Sequence, residues 1–178
     1  MAQGLPPVGL WGATLLGLVV AGLLFLLSEP SSANARRSWR RAAMFGWCLG
    51  VGYFGWGLRW IVEPFQVDVE AHGWMAPFAL IFMAGGLALF WGAAFGLARV
   101  VSRQDGLWVL VGTWSLVELA RGYVLTGFPW AGLGQAVPLN PFWAVLPWIG
   151  AHGLGLVLLA ATVPVAAAIR ARGWQQGV

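Results

Sequence analysis

Long, uninterrupted apolar runs constrain this chain more than any other feature, and the first extends from Val8 to Leu27. A helix needs about 20 apolar residues to cross the roughly 30 Å hydrocarbon core of a bilayer. Of the 178 residues, 60% are hydrophobic and only 9% are charged, a balance far from that of water-soluble domains. The runs also lack the alternating period of two that is typical of membrane barrel strands. The sequence therefore predicts an all-α, polytopic membrane helix bundle.

We expect about five transmembrane helices within a single integral membrane domain that covers residues 1–178, without a soluble domain. A signal peptide is the competing interpretation of the first run, but no Lys or Arg precedes that run. A membrane span is therefore favoured there too. The predicted spans are about 8–27, 42–62, 75–97, 107–125 and 149–169.

The arginines predict the orientation, because short cytoplasmic loops collect positive charge. Eight of the ten fall between spans one and two, between spans three and four, or after span five: Arg36, Arg37, Arg40, Arg41, Arg99, Arg103, Arg170 and Arg172. We expect a multi-pass membrane protein with an extracytoplasmic N-terminus, periplasmic in a bacterium, and a cytoplasmic C-terminus. The pI of about 10.6 then reflects topology and anionic lipid, and no nucleic-acid partner is predicted.

Two opposite charges, Glu118 and Arg121, interrupt the fourth apolar run. Charge at membrane depth is costly and usually marks a functional or tightly packed site. A spacing of three places both residues on one helix face, where they can neutralise each other. A structural ion pair and a substrate-contacting pair are both open interpretations. Arg59 and Glu63 lie four apart near the end of span two, where Arg59 is expected to extend its charge towards water.

Residues 127–148 are apolar and aromatic, yet glycines and prolines interrupt them. Such a segment is expected to lie in the membrane interface, where aromatic rings suit the headgroup level. It could form a lipid-facing shelf at an outer-leaflet opening, or simply connect and anchor two helices. The candidates for contact with lipid or substrate are Glu118, Arg121, Gly127, Phe128, Pro129 and Trp130.

Four glycines have the small-xxx-small spacing that lets membrane helices approach closely. We therefore predict helix packing at Gly46, Gly50, Gly92 and Gly96. The single cysteine, Cys48, is expected to be a small packing residue, because span two offers no nearby base that would activate a thiol. Two histidines, His72 and His152, are too few for a convincing metal site. No metal and no cofactor is predicted.

The segment from Glu118 to Trp130, ELARGYVLTGFPW, followed by Leu133 and Gly134, resembles the Glu-x-x-Arg and Gly-Phe-Pro-Trp segment of bacterial apolipoprotein N-acyltransferases. Residues 45–60 resemble that family's glycine-rich third membrane helix, and residues 147–158 resemble the helix after the Gly-Phe-Pro-Trp loop. The resemblance covers nearly the whole chain. It implies transfer of an acyl chain from a phospholipid to the amino group of the lipidated N-terminal Cys of lipoproteins, at the periplasmic face of the bacterial inner (plasma) membrane.

The resemblance also has limits. The family carries a Glu-Lys-Cys triad in a nitrilase-like periplasmic domain, and this chain contains no lysine, so no catalytic residue is assigned. We expect a membrane portion without that domain and without the family's first membrane helix, a fragment or degenerate copy without catalysis of its own. The implied partners are phospholipid, a lipoprotein substrate and a nitrilase-like domain. The alternative is a non-catalytic membrane scaffold or accessory subunit within another inner-membrane complex.

Overall fold

The computed structural model describes residues 1–2, 5, 9–28, 35–102, 106–124, 127–136 and 144–175, and the regular structure in these ranges is entirely helical. Seven α-helices follow one another in these described ranges. They are α1 (Trp11–Leu27), α2 (Ala35–Gly57), α3 (Val69–His72), α4 (Ala76–Val101), α5 (Leu107–Arg121), α6 (Leu146–Thr162) and α7 (Val165–Gln175). Short 3₁₀ helices span Arg59–Gln66, Gly73–Met75 and Leu133–Ala136.

Two of the described helical stretches are long and apolar enough to cross a membrane, by length and composition. They are Val69–Val101, with 33 residues, and Leu146–Arg172, with 27 residues. Helix α1 is apolar but has only 17 residues, α5 has 15, and α2 begins among arginines that lower its hydropathy. These helices agree with a helical membrane protein, and the count of five spans remains a prediction.

The closest packing in the bundle is that of α2 against α4, and glycines lie in this interface. A Cβ atom on Gly46 would meet the carbonyl oxygen of Trp91 at 2.5 Å, and one on Gly50 would meet Ala88 Cα at 2.9 Å. From the other side, a Cβ on Gly92 would meet the Ala43 carbonyl oxygen at 3.2 Å. The fourth predicted packing residue, Gly96, faces Ala43 in the same way at 3.3 Å. Larger side chains would force the two helices apart.

Helices α4 and α5 pack in opposite directions. Thr113 Oγ1 donates to the carbonyl of Ala94 at 3.0 Å, whereas Glu118, further along α5, contacts Trp91, which lies earlier in α4. The last turns of α4 and α5 therefore lie at opposite ends of the bundle. Helix α4 also continues to Val101, beyond the predicted boundary at residue 97. This corrects the placement of Arg99, which was expected in a loop and instead lies buried in the last turn of the helix.

The predicted fifth span corresponds to two helices. Helix α6 contains a kink at Gly150, whose φ of 65° and ψ of 177° are not helical. A turn at Val163 and Pro164 then separates α6 from α7, because proline cannot supply the amide hydrogen of a continuous helix. Helix α6 begins at Leu146, so the last residues of the predicted 127–148 loop belong to it. Within that loop, residues 137–143 lie outside the described part.

Candidate functional site

Glu118 and Arg121 form a buried ion pair in the last turn of α5. Only 7% of Glu118 and 2% of Arg121 is exposed. Nη2 of Arg121 donates to Oε2 of Glu118 at 3.0 Å, and Nε donates to Oε1 at 3.3 Å. Two parallel contacts of this kind are the strongest arrangement of guanidinium and carboxylate groups. The spacing of three seen in the sequence thus becomes a direct, two-point contact.

The carboxylate of Glu118 also connects α5 to two other segments. The indole Nε1 of Trp91, on α4, donates to Oε1 at 2.8 Å. The backbone N–H of Leu133, in the loop that follows α5, lies 3.4 Å from Oε2. A buried carboxylate is tolerated only when such donors replace water. Glu118 therefore joins α4, α5 and the loop at one point.

The guanidinium of Arg121 binds the Gly-Phe-Pro-Trp loop through backbone oxygens. Nη1 donates to the carbonyl of Phe128 at 2.7 Å and to the carbonyl of Trp130 at 2.9 Å. In return, the N–H of Phe128 donates to the carbonyl of Arg121 at 3.0 Å. These three bonds fix the loop to the end of α5. The predicted motif is therefore one structural unit, in which the arginine holds the Gly-Phe-Pro-Trp end.

The turn into this loop depends on a glycine. Gly127 has a φ of 81°, in the left-handed region that disfavours any residue with a side chain. A Cβ atom at Gly127 would also collide with the carbonyl oxygen of Gly122. This backbone conformation turns the chain so that Phe128 returns to Arg121. The glycine of the motif is thus required by the local backbone geometry.

The second half of the loop closes on itself and packs against α6. Gln135 Nε2 donates to the carbonyl of Pro129 at 3.1 Å, and the N–H of Gly132 donates to Gln135 Oε1 at 3.1 Å. A Cβ atom at Gly134 would collide with the carbonyl oxygen of Ala151 in α6. The loop therefore packs closely between the C-terminal end of α5 and the N-terminal part of α6.

Aromatic rings form the floor beneath the ion pair. The centroid of Trp91 lies 4.8 Å from that of Trp114 and 4.9 Å from that of Tyr53. The guanidinium carbon of Arg121 lies 5.2 Å from the ring centroid of Phe54, within cation–π range. Tyr53 OH and Trp114 Nε1 find no hydrogen-bond partner among the described residues. The charge pair thus rests on a base of packed aromatic rings.

The Gly-Phe-Pro-Trp loop also borders an apolar cavity of about 440 Å³. Trp130 is 59% exposed, and its ring centroid lies 6.1 Å from that of Trp60. Leu58 and Leu146 line the same cavity, and Gln135 adds a polar group. This volume lies within the range of roughly 300–1,000 Å³ that is typical of small-molecule sites.

Glu118 faces a second, much smaller cavity of about 60 Å³. Ser115, Gln135 and His152 line it together with Glu118. A volume this small is far below the roughly 300 Å³ of ordinary ligand sites. The burial of the ion pair and the size of this cavity favour a positioning role for Glu118 and Arg121. Of the loop candidates, Pro129 and Trp130 are exposed, whereas Gly127 and Phe128 are half-buried.

Of the remaining sequence candidates, His152 lines the small cavity beside Glu118, and the others lie apart from the ion pair. Arg59 and Glu63 are exposed, and the guanidinium of Arg59 lies 4.7 Å from the ring centroid of Trp56. Cys48, expected as a packing residue, is exposed on α2. The two histidines are exposed as well, and the described ranges contain no group of three His, Cys, Asp or Glu side chains that could hold a metal ion.

The roles of two residues were missed by the sequence analysis. Trp91 donates to Glu118, and the available signal was a tryptophan inside an apolar run instead of at a predicted membrane boundary. Arg99 is only 5% exposed at the opposite end of the bundle. Its Nη2 donates to the carbonyl of Phe25 at 2.5 Å, and its Nε donates to the hydroxyl of Ser28 at 3.2 Å. Arg99 thereby caps the end of α1.

Comparison with known proteins points to the same family as the Glu118 to Trp130 motif. Residues 1–163 match the family model described as the apolipoprotein N-acyltransferase N-terminal domain. The apolipoprotein N-acyltransferase of Caulobacter vibrioides is 43% identical over 175 residues, which cover 97% of this chain. The protein of the same name from Rhodopseudomonas palustris is 43% identical over 113 residues, or 62% of this chain. A third, from Allorhizobium ampelinum, is 32% identical over 171 residues, or 90% of this chain.

These matches occupy only part of each relative, at 31%, 21% and 32% of their respective lengths. The chain thus spans about a third of the length of the Caulobacter protein. The matching family model is that of the N-terminal domain, in agreement with the helical membrane architecture. The chain belongs to the apolipoprotein N-acyltransferase family, and residues 1–163 correspond to the N-terminal domain of that family.

Proposed function

We propose that this chain is the membrane portion of an apolipoprotein N-acyltransferase and serves lipoprotein maturation. In this proposal it presents a phospholipid, the acyl donor, and a lipoprotein, the acyl acceptor, near its outer face. The bond-making residues of the reaction belong to a nitrilase-like domain. No residue described here is assigned a catalytic role.

The observation that carries this proposal is the pairing of a fixed loop with an open apolar cavity. The bonds from Arg121 to Phe128 and Trp130 hold the loop, and Trp130 forms one wall of the 440 Å³ cavity. An apolar space bordered by exposed tryptophan suits an acyl chain whose headgroup stays at the interface. We assign contact with lipid or substrate to Pro129 and Trp130, and we assign support of the loop to Glu118 and Arg121.

The proposed topology follows from charge. Five spans in a single integral domain, with a periplasmic N-terminus and a cytoplasmic C-terminus, would place the Gly-Phe-Pro-Trp loop on the periplasmic side. The exposed charged residues near this end include Glu63, Asp68, Glu70 and one arginine, Arg59, whereas Arg40, Arg41 and Arg172 are exposed in the other half. This distribution agrees with the preference of short cytoplasmic loops for positive charge.

A chimera tests the proposal. This chain would replace the aligned membrane portion of the Caulobacter relative, to which it is 43% identical. The chimera would then be expressed in cells depleted of their own N-acyltransferase, and a reporter lipoprotein would be examined for the mass increase of N-acylation. We expect the chimera to restore N-acylation and the chain alone to show none. A stably inserted chimera without any N-acylation would contradict the proposal and favour an accessory subunit.

A pair of tryptophan variants addresses the cavity. Trp130→Ala in the chimera should lower the rate of N-acylation about tenfold, because one wall of the proposed acyl site is removed. The matched control is Trp74→Ala, which alters a tryptophan that is 67% exposed, against 59% for Trp130, and does not line the cavity. Equal rates for the two variants would remove Trp130 from the proposed site without affecting the family assignment.

A further inference from the structure

A long apolar groove runs between α2 and α4 in the arginine-rich half of the bundle. Its volume is about 740 Å³. Small residues, Ala43, Gly92 and Gly96, line it where the two helices approach most closely. Trp39 and Trp47 border it from α2, and each is 39% exposed. The groove is therefore an apolar, open feature on the surface of the bundle.

The length of the groove matches one leaflet of a bilayer. On α4 the lining extends from Leu89 to Val100, which at about 1.5 Å per residue amounts to about 16 Å. One leaflet contributes about half of the roughly 30 Å hydrocarbon core. An occupant that lies along this groove therefore extends from the headgroup level to about the bilayer centre, as a single acyl chain does.

The interfacial end of the groove carries positive charge. Arg40 lines the groove, and its guanidinium lies 5.6 Å from the ring centroid of Trp39. The next residue, Arg41, is also exposed at this level of α2. None of the described lining residues bears a carboxylate. The charge at this end therefore complements an anionic headgroup.

We propose that this groove binds one anionic phospholipid from the arginine-rich side of the membrane. One acyl chain lies along the small residues of α4, and the phosphate contacts Arg40. Basic pockets between membrane helices on the cytoplasmic side recognise anionic headgroups in this manner. The lipid is distinct from the acyl donor, because the Gly-Phe-Pro-Trp loop lies beyond the other end of α2. The inference therefore does not rest on the proposed function.

Native mass spectrometry of the purified full chain in a zwitterionic detergent tests the assignment. The probes are phosphatidylglycerol and phosphatidylcholine with identical acyl chains. We expect one phosphatidylglycerol to bind about fivefold more tightly than phosphatidylcholine, in keeping with one arginine near the phosphate. Arg40→Gln should abolish this preference, whereas Arg172→Gln, at an exposed arginine of α7, should preserve it. Ala93→Phe should obstruct the groove and release both lipids, whereas Ala161→Phe, on the exposed surface of α6, should not.

Several outcomes would overturn the inference. Equal affinity for the two lipids in the unaltered chain would remove the role of charge. Retention of the preference in Arg40→Gln would show that the anion binds elsewhere. Undiminished binding in Ala93→Phe would exclude the groove as the site. A dimer of the chain that Ala93→Phe dissociates would identify the occupant as a second copy instead of a lipid.

Discussion

Two buried arginines stand at opposite ends of this bundle and hold different kinds of chain segment. Arg121, in the last turn of α5, binds the backbone of an irregular loop through Phe128 and Trp130. Arg99, in the last turn of α4, binds the end of a regular helix through Phe25 and Ser28. Each arginine also lies over a phenylalanine ring, at 5.2 Å for Arg121 and 3.9 Å for Arg99.

The described contacts of the two arginines involve different groups. Arg121 carries its counterion on its own helix, since Glu118 lies three residues earlier and shares two contacts with it. The described contacts of Arg99 with Phe25 and Ser28 are made to uncharged oxygens at the C-terminal end of α1, where the helix dipole favours a cation. Arg121 thus positions a loop at the end of α5, and Arg99 donates to a carbonyl that the end of α1 leaves without an amide partner.

The largest effect is expected for Arg121→Ala. This change leaves the Glu118 carboxylate buried without its cation and frees the carbonyls of Phe128 and Trp130. Removing one partner of a buried pair typically costs about 3–5 kcal/mol. We expect a loss of that size in the free energy of unfolding, measured by denaturant titration in mixed micelles.

The control for this variant is Arg59→Ala, at an exposed arginine, which should change stability by less than about 0.5 kcal/mol. A double variant, Glu118→Leu with Arg121→Met, should be more stable than Arg121→Ala, because no unpaired charge remains. If the double variant instead loses as much stability as the Glu118→Leu and Arg121→Met single variants together, the pair does not act as one unit.

A smaller effect is expected for Arg99→Ala. The variant loses charged hydrogen bonds to the end of α1 and the favourable interaction with the helix dipole, which together amount to about 2 kcal/mol. The same denaturant titration measures the change. Arg172→Ala, at an exposed arginine of α7, serves as the control and should be nearly neutral. A loss as large as that of Arg121→Ala would erase the distinction between the two arginines.

The smallest effect is expected for Gly127→Ala, which tests the turn that brings the loop to Arg121. Strain at its φ of 81° should cost about 1–2 kcal/mol, measured as a shift in thermal unfolding. Gly112→Ala, at an open helical position of α5, should instead be neutral or stabilising by up to about 1 kcal/mol. Equal shifts for both variants would mean that the left-handed turn does not require glycine at position 127.

The sequence indicated that Glu118 and Arg121 could pair, but it did not indicate the surroundings of the pair. A spacing of three on a helix determines whether Glu118 and Arg121 can meet, so local periodicity was sufficient. Trp91 lies 27 residues from Glu118 in the chain, and only the packing of α4 against α5 brings the two together. Contacts of this kind depend on tertiary structure, which hydropathy and spacing in one sequence do not encode.

Arg99 shows a second limit of sequence reasoning. Its position after an apolar run is typical of a cytoplasmic loop charge, yet α4 continues through it to Val101. The structure buries the residue because the end of α1 supplies oxygen acceptors at the same level. A rule based on charge counts treats Arg40 and Arg99 alike, although Arg40 is exposed and Arg99 is only 5% exposed.

Amide hydrogen exchange of Arg121→Ala and Arg99→Ala in lipid nanodiscs tests most directly whether the two arginines hold separate segments. We predict faster exchange in Arg121→Ala at Phe128, Leu133 and their neighbours, with the end of α1 unchanged. In Arg99→Ala we predict faster exchange at Leu26 to Ser28, with the Gly-Phe-Pro-Trp loop unchanged. Unaltered exchange of the loop amides in Arg121→Ala would contradict the conclusion that Arg121 fixes the loop to α5.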